Sequence, residues 1–212
     1  MRSADVSTIL RIGIVLFVLF LVIIKVNPAI SIALLALAFI LDGTDGYLAL
    51  REASNGKLTF SSYLNYSLGD KSISKSIKSL KESIGKNKKT KHGPRFDVAA
   101  DRIAEYSLWA TFTVLGIVPL FVLIIVIIRH SIADAFLAAK GTSSKMRTGF
   151  ARALYSSNIS RGSVNVLKFV TFSYFILAYV SKYPILPAYI LTALLVAFIV
   201  LRGTAEVYES IR

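Results

Sequence analysis

Apolar residues run along this chain in long blocks, separated either by short turns or by polar, basic segments. The first block covers residues 9–26 and is broken only by Arg11, near its start. The second covers 28–50 and is apolar through Ile40 and Leu41 until it meets Asp42. A third, 95–118, carries Asp97, Asp101, Arg102 and Glu105 in its first turns. Pro119 opens a fourth, which is apolar to residue 128 and continues in polar form over 129–140. Residues 164–180 and 187–201 supply the fifth and sixth. About 17–25 apolar residues cross a bilayer as a helix. The pattern therefore predicts an all-α integral membrane protein, a single domain over residues 1–212 with six transmembrane helices. Asn27-Pro28-Ala29 is a poor cleavage site, so the first block reads as a retained span and not a signal peptide.

Residues 52–92 differ in kind, being polar, serine-rich and basic. Within this insert Ile73, Ile77, Leu80 and Ile84 recur at helical spacing, with Lys71, Lys75, Lys78 and Lys81 off the stripe. Two readings fit: a basic amphipathic helix lying on the membrane surface, or a partly disordered basic loop. Residues 85–92 read as a solvated linker. Segment 51–92 holds ten Lys/Arg against three Asp/Glu, and 129–161 holds six against one. Lys25 and Lys182 are the basic residues of the short opposite-side turns. The positive-inside rule places both basic segments and both termini in the cytoplasm.

Composition narrows the chemistry. The chain is 55% hydrophobic with a formal net charge of +13. Because its cations lie between apolar blocks, anionic headgroups account for them better than nucleic acid. With no cysteine and two histidines, His92 and His130, thiolate and multi-histidine metal sites are excluded. His130 and Glu105 read as interhelical partners, and Trp109 as a packing or interface residue.

Four carboxylates stand out. Asp42 sits about 21 Å along its helix from Pro28, near the far edge of the hydrocarbon. Carboxylates there are costly unless a cation or partner meets them. Asp42 and Asp45 are three apart and Asp97 and Asp101 four apart, so each pair shares a helix face. The topology brings both pairs to the cytoplasmic face. Facing each other, they would repel unless one or two divalent cations intervened. All-oxygen ligands favour magnesium, with manganese or calcium as alternatives. Gly43, Gly46 and Gly93 allow close approach of a ligand to the backbone.

These residues resemble the signature of the CDP-alcohol phosphatidyltransferase family, Asp-x2-Asp-Gly-x2-Ala-Arg followed by Gly-x3-Asp-x3-Asp. Asp42, Asp45, Gly46 and Ala49 fall on its first half, and Gly93, Asp97 and Asp101 on its second. Leu50 stands where the family has arginine, with Arg51 one place late, and the insert 52–92 replaces a short spacer.

The resemblance implies an enzyme of phospholipid biosynthesis that takes a CDP-linked lipid and an alcohol acceptor and releases CMP. It implies Mg2+, two ions, on Asp42, Asp45, Asp97 and Asp101. It makes Asp101 the general base, and lays the nucleotide along Asp45, Gly46, Ala49, Arg51, Gly93 and Asp97. It also implies a homodimer. A phosphorylated acceptor needs further cations, for which Arg129, Arg152 and Arg161 are the candidates. Residues 129–134 loosely resemble members that use polyol phosphates, either glycerol phosphate or inositol phosphate. The alternatives are a transporter or channel with an acidic cytoplasmic-face site, a membrane prenyltransferase, or a non-catalytic member of the same family.

Overall fold

A computed structural model describes residues 3–67, 77, 79–80, 93–140 and 158–211. The described chain is helical, with no strand among the described residues. Seven helices follow one another: α1 (Ser3–Ile23), α2 (Pro28–Ala53), α3 (Phe60–Ser67), α4 (Gly93–Val114), α5 (Leu120–Lys140), α6 (Asn158–Val180) and α7 (Ile185–Ile211). Each of the six apolar blocks becomes one long helix, and α3 is an addition from within the insert. Four of the described helical stretches, Asp5–Ile23, Pro28–Glu52, Gly162–Val180 and Ile185–Ala205, are long and apolar enough to cross a membrane. The five charged residues in the first half of α4, Arg95, Asp97, Asp101, Arg102 and Glu105, dilute its apolar run. The chain divides into two compact units, Met1–Ser107 and Leu108–Arg212.

In the first unit α1 packs along α2. The α1 seam is Ser7, Arg11, Val15, Val18 and Val22, all buried, at steps of three and four that keep one face of a helix inward. Its other face exposes Ile9, Leu16, Phe17, Phe20 and Ile23, as a lipid-facing surface would. On α2 the matching stripe is Ser31, Leu35 and Ala38, buried, and one further turn brings Asp42. The turn between the helices is tight. Lys25 adopts φ 56, while its N–H reaches the Val22 carbonyl and that of Val26 reaches Leu21, closing α1 with a Schellman motif. Asn27 then caps α2, its side chain accepting from the Ala29 N–H at 2.9 Å, with Pro28 in the first turn.

Beyond α2 the chain turns through Asn55 and Gly56, both at positive φ, and α3 folds back. Leu50, Leu58 and Ile77 form a buried cluster, against which Tyr47, Tyr63, Tyr66 and Leu80 pack. Tyr47 meets Phe60 edge-on at 5.3 Å. Ile77 and Leu80, half of the proposed amphipathic stripe, thus face protein; Ile73 and Ile84 lie outside the described residues, as does the 85–92 linker.

In the second unit α7 packs on both α5 and α6. Its core is aromatic: Trp109, Phe112, Phe172 and Phe175 are buried with ring centroids 5.1–6.3 Å apart. Trp109 is accordingly a packing residue. Gly116, at φ 77, ends α4 with the same hydrogen-bond pattern as Lys25.

Candidate metal centre

Three of the four aspartates come together within the first unit, and what they meet is Arg11. This side chain enters from the α1 seam with 5% of its surface exposed. Its Nη1 pairs with Asp42 of α2. Its Nη2 stands 2.7 Å from Asp101 and 3.6 Å from Asp97, both on α4. The helical stripes explain the geometry: Asp42 continues the Ser31–Leu35–Ala38 face, and Asp97 and Asp101 lie one turn apart on α4. The carboxylates are partly exposed, by 28% for Asp42, 51% for Asp97 and 44% for Asp101. A buried cation thus sits beneath a partly solvated ring of acids. Glu105, one turn further along α4, is buried and pairs with Arg102 at 3.6 Å.

The donor chemistry fits a hard divalent cation. Three carboxylates meet at this guanidinium, and oxygen-only ligands suit magnesium or manganese. Among the described residues, no group of three or more acidic or histidine side chains is gathered closely enough to hold a metal as it stands. Arg11 pairs instead with all three carboxylates. The side chains of Asp45 and Ala49 lie outside the described set, although their backbone is helical within α2.

The glycines divide. A Cβ on Gly43 would meet nothing within 4 Å, whereas one on Gly46 would come 3.0 Å from the Tyr63 hydroxyl of α3. That hydroxyl also donates to the Gly43 carbonyl at 3.4 Å. The close approach at Gly46 therefore serves a residue of the insert. Gly93 opens α4. Leu50, at the position of the motif arginine, is buried under the insert. Arg51 is exposed and, with Leu48, Glu52, Asn55 and Gly56, lines an open cavity of about 390 Å3. The one-residue shift, about 100° of helical rotation, separates these two environments.

Of the candidate acceptor-phosphate residues, Arg129 belongs to the second unit. Its Nε donates to the Ile199 carbonyl of α7 at 2.8 Å, and its side chain lies against Gly203. Arg152 lies outside the described residues, and of Arg161 only the helical backbone is described. His130 is buried.

The sequence reading treated Arg11 as an interruption of the first span. Two signals for its role are present in the sequence. A charge inside a membrane helix needs a partner. The levels also agree: Arg11 lies about 18 Å before the end of α1, and Asp42 about 21 Å beyond the start of α2.

A scan against protein-family models, a search of curated proteins and a search of solved structures each found no match. The class that the fold defines is thus a helical protein, four of whose described helices are long and apolar enough to cross a membrane, with Asp42, Asp97 and Asp101 gathered on Arg11. The particular reaction is a matter of proposal.

Proposed function

We propose that this protein is a metal-dependent CDP-alcohol phosphotransferase, which moves a lipid phosphate from a CDP-linked lipid to an alcohol and releases CMP. One observation carries the reading: Asp42 and the Asp97–Asp101 pair, more than fifty residues apart in sequence, converge on a single buried cation. The motif spacing described above supports it, as does the placement of these aspartates at the ends of long apolar helices.

Magnesium, or manganese or calcium in its place, would be held by Asp42, Asp45, Asp97 and Asp101. It would supply charge neutralisation at the diphosphate and at the attacking and leaving oxygens. Asp101, 44% exposed, accepts the proton of the acceptor hydroxyl as general base. The hydroxyl oxygen then bonds to the lipid-side phosphorus, and the phosphoanhydride bond to CMP breaks. Gly46, Ala49 and Gly93 lie along the nucleotide. The acceptor is a polyol phosphate. The full arrangement is six spans, cytoplasmic termini and centre, the insert 52–92 beside the site, and a homodimer.

The test is direct. Purified protein receives a CDP-linked lipid, Mg2+ and a panel of labelled alcohols and alcohol phosphates. CMP release that depends on both metal and acceptor is expected. Solute flux into liposomes without CMP would instead establish the transporter reading.

A further inference from the structure

Arg11 is the buried charge that the transferase reading leaves without a task. A guanidinium has five N–H donors and is always charged. Here it is 95% buried, as 5% remains exposed, and neither its Nε nor its Nη2 makes an aligned hydrogen bond, although Nη2 lies 2.7 Å from Asp101. A permanent interhelical tie would bury both partners and use the donors fully, because a buried ion pair repays its desolvation only when its hydrogen bonds are satisfied. This cluster does the reverse: the cation is buried with donors to spare, while its three carboxylates are partly exposed.

We propose that Arg11 is an exchangeable counter-cation. It holds Asp42, Asp97 and Asp101 together when no divalent ion is bound, and turns to a phosphate oxygen of the diphosphate when the ion takes those carboxylates. The inference rests on the reading of the centre as a metal site. Its consequence is coupling. A metal ion alone must displace Arg11 from these carboxylates, and a diphosphate alone meets a cluster of acids. Each ligand relieves the other's penalty, and such coupling is reciprocal between the two. Arginine suits the exchange because its planar fork matches carboxylate and phosphate alike.

The test measures binding, using the full chain in nanodiscs of neutral lipid, with Mn2+ followed by its free-ion magnetic resonance signal and CDP as the diphosphate. In the wild-type protein CDP tightens Mn2+ binding by about tenfold or more. In Arg11→Gln, Mn2+ alone binds about tenfold or more tighter than to wild type, and CDP adds little further, since the competing charge is gone. Unchanged or weaker Mn2+ binding in this variant overturns the proposal.

A second measurement avoids the neutral variant. In protein labelled with 15N-arginine, the Arg11 Nε resonance, identified by its loss in Arg11→Lys, shifts when Mg2+ and CDP are added together. A resonance that stays in place overturns the exchange. These readouts are separate from turnover. Coupling without CMP release would remove the transferase reading and keep this one, and CMP release without coupling would do the opposite.

Discussion

Gly203→Ala gives the sharpest stability prediction, because two effects of opposite sign compete and the structure decides between them. In a helix interior, alanine gains about 1 kcal/mol over glycine. At Gly203 of α7, however, the added Cβ would stand 2.6 Å from Arg129 Nε, 2.9 Å from Cγ and 3.2 Å from Cδ. These atoms lie in the middle of a side chain whose Nε is fixed on the Ile199 carbonyl at 2.8 Å, so Arg129 must leave. Losing that bond and stranding a half-buried charged donor costs about 1–3 kcal/mol. The substitution is therefore destabilising. In an Arg129→Ala background the obstruction is absent, and the same change becomes stabilising by about 1 kcal/mol. A double-mutant cycle by reversible unfolding in mixed micelles reads the coupling directly, expected at about 2 kcal/mol or more. An equal effect of Gly203→Ala in both backgrounds would refute the reasoning. So would a stabilising effect in the wild-type background.

Two other outcomes are expected. Leu50→Ala empties the cluster that Leu50 forms with Leu58 and Ile77, at a cost of about 2–5 kcal/mol; trypsin should then cut the lysine-rich insert faster, and unchanged cleavage would show that Leu50 does not anchor it. Because the chain has no cysteine, single introduced thiols report topology cleanly: Tyr183→Cys should react with an impermeant maleimide on intact cells and Lys57→Cys only after permeabilisation, and the reverse pattern would invert the orientation.

The long helices were legible because apolar length is a strong signal, and each of the six blocks became one helix to within a few residues at most ends. Helix α6 starts earlier than its apolar block and α7 runs past its own, because polar residues continue a helix once packing has set its axis. The convergence of Asp42, Asp97 and Asp101 followed from helix spacing and topology, and the structure brings these three together. Arg11 was missed because a single charge near the start of a span reads as an end effect unless its depth is compared with that of Asp42. The packing of Leu58 and Ile77 of the insert was missed because Leu50 belongs to both the helix pattern and the motif. Only tertiary structure shows it buried under Leu58 and Ile77 while Tyr63 reaches Gly43 and Gly46. Arg129 reads from the sequence as a candidate acceptor cation at a helix end, and its bond to a carbonyl seventy residues away leaves no trace in local sequence.

The central claim is that the aspartates perform phosphoryl transfer. The measurement that meets it most directly is CMP release from a CDP-linked lipid by wild-type protein and by Asp101→Asn, side by side, with Mg2+ and with chelator. Magnesium-dependent release by the wild type, abolished in the folded variant, is the result expected. Equal release by Asp101→Asn, or none by wild type across the acceptor panel, would contradict it.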